Sequence, residues 1–387
     1  MKKITAIFIA AAMLLVFAAC GNSDGMKQSG GKGDIGETGK TEAAGQSGDL
    51  NLVGAYTREL AGTSLNVCNW GEYISDGAED SLDVVKAFQK VTGIKVNYTT
   101  FDTNEGLYAK LKAGGANYDL VIPSDYMIQR LITEDLLETL DFSNIPNASY
   151  VMDEYKGLYF DPTNAYSVPY TIGMVGLIYN EDLVEEAPTS WNALWDQRYA
   201  GQILQFASPR DAFGLAQFLL GQEINSTNPA DWRAAAEKLK EQAPLVQTYI
   251  ADEVYDIMEG ANAAMGPYYA GDYILMNGNN ESLQFVYPEE GTNFFYDSAV
   301  IPKGAQSKQA AELFINFLME PDVALANAEY IMYATPHKAV RENPEYTLKD
   351  SDILYPATPP KTQVFKNLPP EILSLMSDLW TEVKLAK

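Results

Sequence analysis

Aromatic rings stand beside carboxylates at five turn-like places in this sequence. The five groups are Trp70/Glu72/Tyr73, Ser124/Asp125/Tyr126, Arg210/Asp211/Phe213, Tyr268/Tyr269/Asp272/Tyr273 and Phe294/Phe295/Tyr296/Asp297. Carboxylates accept hydrogen bonds from ammonium groups, and ring faces attract cations by roughly 0.5 to 2 kcal/mol. Flat rings also cover methylene groups, each worth about 0.8 kcal/mol when removed from water. A linear diamine or triamine needs both contacts in alternation, so the combination predicts a site for such a ligand.

The overall charge fits a cationic ligand and argues against nucleic acid. The chain has 387 residues, 27 Lys and Arg, 52 Asp and Glu, and a formal net charge of -25. Phosphate binding needs basic patches, whereas an acidic cleft concentrates cations. Most of these acids are still expected to keep the surface soluble, and most rings to pack in cores.

Motifs for other chemistries are missing from the sequence. It contains no phosphate loop, no nucleotide fingerprint after a strand and no GxSxG elbow. One His and two Cys in 387 residues do not make the usual zinc site. We therefore expect no catalytic residue, no cofactor and no bound metal.

Two other classes of function remain open from the residues alone. A secreted glycosidase would use paired acids among aromatic sugar platforms, although no local motif pairs two acids here. A binding protein for another small solute, such as a sugar or a metal, is a nearer alternative. Sugar sites favour amides and Arg beside the rings, and here the acids outnumber those groups.

The predicted secondary-structure elements that position these residues indicate an α/β fold. The stretch "SLNVCNW" predicts a strand, "DSLDVVKAFQKVTG" a helix capped by Asp80 or Ser81 and ended by Gly93, and "IKVNYTTF" a second strand. A short helix, "GLYAKLKAG", and a buried strand, "YDLVIP", follow. This alternation implies parallel pairing, and ligands bind at the carboxyl ends of strands in open parallel sheets.

A second unit follows "SVPYTIGMVGLIYN". Its predicted helices include "TSWNALWDQRYAG", started by Thr189 or Ser190, "RDAFGLAQFLLGQ" and "NPADWRAAAEKLKEQAP". No Gly-rich or Pro-rich linker separates the units. A boundary without a linker indicates that the chain crosses between two lobes more than once.

The N-terminus predicts export and a lipid anchor. Lys2 and Lys3 precede an apolar stretch that is too short to span a bilayer, and it ends in "LLVFAAC". Small residues before a Cys resemble the lipobox of bacterial lipoproteins. We expect residues 1–19 to be a signal peptide, Cys20 to be lipidated, and residues 20–63 to form a flexible linker. Cys68 is then the one remaining thiol and is expected to be a small core residue.

From about Leu65 onward the chain resembles the spermidine/putrescine-binding proteins of ABC importers. The matching stretches include "NWGEY", "NEGLYAKL", "YDLVIPSDY", "TSWNALWD", "SAVIPKGA" and "INFLMEPDVALANAEYIMYATP", in the order of that family. The resemblance implies a two-lobed periplasmic-binding-protein fold of type II. It implies lobe 1 at 64–173 plus 298–345 and lobe 2 at 174–297 plus 346–387. Crossings are expected near Gly173, Ser298 and Glu345.

The same resemblance implies which residues bind a polyamine between the lobes. They are Trp70, Tyr73, Ser124, Tyr126, Asp211, Tyr268, Asp272, Phe295, Asp297 and Tyr333. Ser208 stands where the family has an acid, and Asp272 could supply that charge. Tyr268 or Tyr269 replaces a Trp, and Gln363 is near a family Gln. The implied partners are an ABC permease with its ATPase subunit, and the protein itself is expected to be a monomer outside the cytoplasm.

Overall fold

The computed structural model describes residues 50–387 except 115 and 116, and the backbone but not the side chain of Glu79. Its strands are β1 Ser64–Asn69, β2 Lys95–Thr100, β3 Leu120–Val121, β4 Ser167–Asn180, β5 Ile203–Phe206, β6 Val246–Ile250, β7 Met265–Tyr269, β8 Leu283–Val286, β9 Thr292–Val300 and β10 Thr362–Gln363. Its α-helices are α1 Val84–Thr92, α2 Asn104–Lys112, α3 Asp125–Thr133, α4 Pro209–Leu219, α5 Pro229–Gln242, α6 Val254–Glu259, α7 Ala270–Asn279, α8 Lys308–Leu318, α9 Pro321–Ile331, α10 Lys338–Arg341 and α11 Pro370–Leu385.

The strands follow the order β2-β1-β3-β9-β4-β7-β5-β6, with β10 beside β9 and β8 beside β4. Strands β1, β2 and β3 pair in parallel, as do β5, β6 and β7. Between these two parallel groups lie β9 and the 14-residue β4, paired antiparallel with each other. The α/β prediction is confirmed, and the two central strands link the two parallel groups.

Helix α1 begins later than the sequence predicts. Its N-cap is Asp83, whose side chain accepts a hydrogen bond from the Lys86 N–H at 2.7 Å. The predicted caps are wrong because Asp80 ends a short 3-10 turn and Ser81 follows it in an extended conformation. Gly93 ends the helix in the left-handed region, at φ 75°, as predicted.

The stretch "TSWNALWDQRYAG" is not an α-helix. It forms two 3-10 turns, Trp191–Trp195 and Gln197–Tyr199. Each turn has its own cap, because Ser190 accepts from the Asn192 N–H and Asp196 accepts from the Arg198 N–H. Side chains that bond to nearby backbone compete with a continuous helix, and the second cap interrupts this one.

The flexible linker predicted up to residue 63 is wrong for residues 50–63. The buried carboxylate of Glu320, at the start of α9, accepts hydrogen bonds from the Val53 and Gly54 N–H groups at 2.7 and 2.9 Å. The Tyr56 hydroxyl donates to the same carboxylate at 2.7 Å, and Tyr56 also packs against Phe317. We call residues Leu50–Tyr56 the N-terminal strap.

Other predictions on domain organisation have mixed outcomes. Cys68 is fully buried, as predicted. The signal peptide, Cys20 and residues 20–49 lie outside the described residues. The lobe boundaries, including a crossing near Glu345, remain predictions. Within residues 50–114 and 117–387, no helix combines the length and apolarity needed to cross a bilayer.

Candidate ligand-binding site

A cleft with about 910 Å³ between its walls, part of it open to solvent, lies where several strands end. All ten residues predicted to bind ligand line it: Trp70, Tyr73, Ser124, Tyr126, Asp211, Tyr268, Asp272, Phe295, Asp297 and Tyr333. The structure therefore brings together ten residues that span 264 positions of the sequence, from Trp70 to Tyr333. Their role as ligand contacts stays a prediction.

The topology explains this convergence. Trp70 and Tyr73 follow β1, and Ser124 and Tyr126 follow β3 at the start of α3. The remaining predicted residues come from α4, β7, α7, β9 and the segment after α9: Asp211, Tyr268, Asp272, Phe295, Asp297 and Tyr333. Carboxyl ends of parallel strands meet at one edge of a sheet, so residues far apart in the sequence come to share one opening.

Asp272 is held by two phenols. The Tyr333 hydroxyl donates to its Oδ2 at 2.6 Å, and the Tyr255 hydroxyl donates to its Oδ1. Burial raises the pKa of Asp272 from its ordinary 3.8 to about 7, although both hydrogen bonds favour the charged form. Asp272 is thus close to half ionised at neutral pH before any cation binds.

Asp297 lies in β9 and is also buried. The Tyr73 hydroxyl donates to its Oδ2 at 2.7 Å, while its Oδ1 has no hydrogen-bond partner among the described residues. Burial raises the pKa of Asp297 to about 6. A buried carboxylate oxygen without a donor costs free energy, so this atom can gain a partner when an ammonium group enters.

Asp211 occupies the first turn of α4. The side chain of Ser208, the N-cap of that helix, accepts from the Asp211 N–H at 3.4 Å. Burial raises the pKa of Asp211 to about 6, while the Ser208 hydroxyl beside the carboxyl group acts in the opposite direction. Carboxylates are favoured in the first turn of a helix by its dipole, which supports the charged form here.

Aromatic rings cover much of the cleft wall. Trp70 lies 4.3 Å from Phe101 between ring centroids, and Tyr73 meets Tyr333 edge to face at 4.9 Å. Phe295 packs directly over Gly173, where a Cβ would come within 2.4 Å of the ring. The rings are therefore fixed by neighbours and present surfaces suited to a narrow chain.

The described lining contains no Lys, Arg or His side chain. It contains six acids, Asp102, Asp125, Asp211, Asp252, Asp272 and Asp297. A buried cation lies just behind the wall: Arg210, which donates to the Ile224 carbonyl at 2.8 Å and to Asn225 Oδ1 at 2.6 Å. Both partners are neutral, so Arg210 forms no ion pair with an acid of the described lining, although its positive charge favours the charged form of the adjacent Asp211.

Sequence reasoning missed several lining residues. Asp125 belongs to the Ser124/Asp125/Tyr126 group but is not among the ten predicted residues, yet it is buried and its Oδ2 has no hydrogen-bond partner among the described residues. Asp102, Asp252 and Tyr255 were not named, although "ADEVYD" pairs an acid with a ring in the same way as the five chosen stretches. That signal could have found Tyr255.

The family Gln expected near the C-terminus is not matched by Gln363. The Gln363 side chain accepts from the Ile224 N–H at 3.3 Å and is absent from the cleft wall as described. Phe365 lines the cleft instead, with its ring 4.2 Å from the Arg210 guanidinium carbon and in contact with Tyr126. This part of the wall is therefore apolar.

The fold and this cleft define a type II solute-binding protein of the periplasmic-binding class. The chain belongs to the family of bacterial extracellular solute-binding proteins, whose model matches residues 83–354. That family is one of solute-binding proteins, not of enzymes.

Similar proteins include a spermidine/putrescine-binding periplasmic protein of Salmonella typhimurium, 36% identical over 291 residues, which are 74% of this chain and 82% of the relative. A Streptococcus pneumoniae spermidine/putrescine transporter substrate-binding protein is 37% identical, with a TM-score of 0.68, covering 84% of this chain and 99% of that structure. A Listeria monocytogenes structure described as a candidate spermidine/putrescine ABC transporter is 36% identical with a TM-score of 0.79, covering 84% and 100%.

Proposed function

We propose that this protein captures a polyamine, spermidine or putrescine, outside the cytoplasm and delivers it to an ABC permease. One observation carries the proposal: the described cleft wall combines six acids and ten aromatic rings with no cationic side chain. A ligand that satisfies such a wall is narrow, multiply positive and apolar between its charges. The relatives named for spermidine and putrescine binding support the same ligand class.

In the proposed binding mode, the rings and the acids contact different parts of the ligand. Trp70, Tyr73 and Phe295 cover the methylene groups, which removes about 0.8 kcal/mol of exposure per CH₂. Asp297, Asp211 and Asp272 accept hydrogen bonds from ammonium groups, and these bonds are stronger than those between neutral groups. Ser124, Tyr126, Tyr268 and Tyr333 complete the contacts.

The two lobes proposed for the chain would close on the ligand. Asp211 and Asp272 come from the proposed lobe 2, whereas Trp70 and Tyr73 come from lobe 1. A ligand held by both sides favours the closed arrangement, because only there does it reach all its partners. The closed receptor then docks on the permease, and a cytoplasmic ATPase drives transport.

Lipidation of Cys20 is the proposed means of keeping the receptor at the cell surface. Acyl chains hold a protein at a membrane by about 0.8 kcal/mol per buried methylene. The protein is proposed to act as a monomer, attached to the membrane only through this anchor and facing outside the cytoplasm.

Calorimetry on the mature chain tests the ligand class. Putrescine and spermidine are expected to bind, whereas a neutral sugar and Fe³⁺ are not. Binding of the sugar or of Fe³⁺ without the amines would assign another solute. Turnover of a chromogenic glycoside would instead favour the glycosidase alternative, which needs two carboxylates facing one sugar bond.

A further inference from the structure

We infer that Tyr255 is a positioning residue that holds Asp272 ready for an ammonium group of the ligand. The inference rests on the proposed function and deepens it. Tyr255 lies in α6, lines the cleft and donates its hydroxyl to Asp272 Oδ1. Neither the family resemblance nor the five chosen stretches assign it a role.

The two carboxylate oxygens of Asp272 accept hydrogen bonds from two different elements of the fold. Tyr255 reaches Oδ1 from α6, and Tyr333 reaches Oδ2 from the segment after α9. With one donor on each oxygen, the carboxylate is fixed in rotation. An ammonium group can then approach a carboxylate that needs no reorganisation, which lowers the cost of binding.

The charged form of Asp272 depends on these phenols because its other neighbours do not stabilise a negative charge. Asp252, just before α6, is acidic and disfavours a second negative charge. Tyr73, Tyr268 and Tyr269 face Asp272 from the loop after β1 and from β7, and their hydroxyls do not bond to it. Asp272 has no ion pair with Lys, Arg or His within the described part of the chain.

Tyr255 and Tyr333 differ in what else they do. The Tyr333 ring packs on Tyr73 and over Gly271, so its removal would disturb the wall. The Tyr255 hydroxyl bonds to Asp272, so Tyr255→Phe keeps the ring and deletes one donor. Loss of that donor raises the pKa of Asp272 above its present value of about 7. A larger share of the protein is then uncharged at Asp272 near neutral pH.

The experiment measures spermidine affinity of the mature chain at pH 6.0, 7.0 and 8.5 for wild type and Tyr255→Phe. The matched control is Tyr287→Phe, because Tyr287 is also a largely buried phenol that donates to a backbone carbonyl, that of Ile353 at 2.5 Å, and is not part of the described cleft wall. If the substitution raises the pKa of Asp272 by one unit, from about 7 to about 8, the ionised fraction at pH 7.0 falls from about one half to about one eleventh, so we expect Tyr255→Phe to lose about fivefold in affinity at that pH. Relative to wild type, the loss should shrink at pH 8.5, and the control should match wild type throughout.

A second comparison tests whether Tyr255 acts through Asp272. In an Asp272→Asn background, Tyr255→Phe should cause no further loss, because the charged acceptor is already absent. An equal loss at every pH, an unchanged affinity at pH 7.0, or additive losses in the double variant would each overturn the inference while leaving polyamine binding intact. Absence of polyamine binding by wild type would instead remove the proposed function and this inference with it.

Discussion

The Tyr73 hydroxyl donates a 2.7 Å hydrogen bond to Asp297 Oδ2, which joins the loop after β1 to β9 across 224 residues of sequence. The same hydroxyl lies 2.5 Å from Thr171 Oγ1 in β4. Tyr73 is therefore fixed by both central strands, and its ring also packs edge to face with that of Tyr333. The pair orders the carboxylate while leaving Asp297 Oδ1 available, since no described residue donates to it.

Asp297→Asn should weaken polyamine binding by about 1.5 to 3 kcal/mol, the range for hydrogen bonds to charged groups. The amide keeps the size of the side chain but removes the charge that an ammonium group needs. Calorimetry with spermidine measures the change. Near-wild-type affinity would remove Asp297 from the binding residues.

Trp70→Ala should cost at least about 2 kcal/mol of binding free energy, as for other aromatic anchors. The fold should survive, because Trp70 is only half-buried and its indole N–H has no partner among the described residues. Affinity and thermal unfolding are measured together. A variant that unfolds would show that Trp70 belongs to the core through its contact with Phe101.

Gly271→Ala should weaken binding through Tyr333. A Cβ at Gly271 would come within 2.2 Å of the Tyr333 ring, so the ring must move and its hydrogen bond to Asp272 must lengthen. Gly278→Ala is the matched control in the same helix, because a Cβ there would meet no described atom within 4 Å apart from its chain neighbours and the backbone of its own helix. Equal affinities for the two variants would contradict the prediction.

Polyamine affinity should rise with pH between about 5 and 8. Burial raises the pKa of Asp211 and Asp297 to about 6 and that of Asp272 to about 7, and each must be ionised to bind an ammonium group. Binding should therefore release protons to the buffer. Calorimetry in buffers of different ionisation enthalpy measures this release, and a heat independent of the buffer would refute it.

The ligand-free protein should respond to pH in the opposite sense. A carboxyl with a raised folded pKa stabilises the fold below its unfolded pKa, and that contribution is lost as pH rises through the folded value. The three acids thus reduce the free energy of unfolding between about pH 4 and 7. The triple Asp→Asn variant should lack this part of the pH dependence in denaturant unfolding, and an unchanged profile would count against it.

Cys20→Ser should release the protein into the medium, because the acylated thiol is its only proposed membrane attachment. Cell fractionation measures the change. Cys68→Ser is the control, since Cys68 is buried in the folded body and is not the proposed site of acylation. Continued membrane association of Cys20→Ser would contradict the anchor.

Composition and periodicity predicted the α/β fold, and resemblance supplied the ten cleft residues. Gly93 ends α1 as predicted because a left-handed residue there favours glycine. The helix expected at residues 189–201 failed because its pattern of apolar residues also suits two 3-10 turns. The hydrogen bonds that the Ser190 and Asp196 side chains accept from nearby N–H groups favour the two turns, and these bonds depend on local geometry.

Residues that act through another residue were the hardest to find. Tyr255 lines the cleft and bonds to Asp272, 17 positions further along; the acid and ring in its stretch indicate a lining residue, but they do not indicate this hydrogen bond. Phe365 lines the cleft two residues after β10, which pairs in parallel with β9, and a two-residue strand is too short to recognise in a sequence. The positions of Tyr255 and Phe365 in the cleft wall are therefore set by tertiary contacts and not by local sequence.

The bonds between Glu320 and the N-terminal strap also have a mechanical meaning. Any pull on the chain ahead of Leu50 would be resisted at the start of α9, through the Val53, Gly54 and Tyr56 contacts, before it reached β1. A receptor anchored at its N-terminus would thus bear tension without separation of β1 from its neighbouring strands. The load would pass to a helix that is itself anchored in the body.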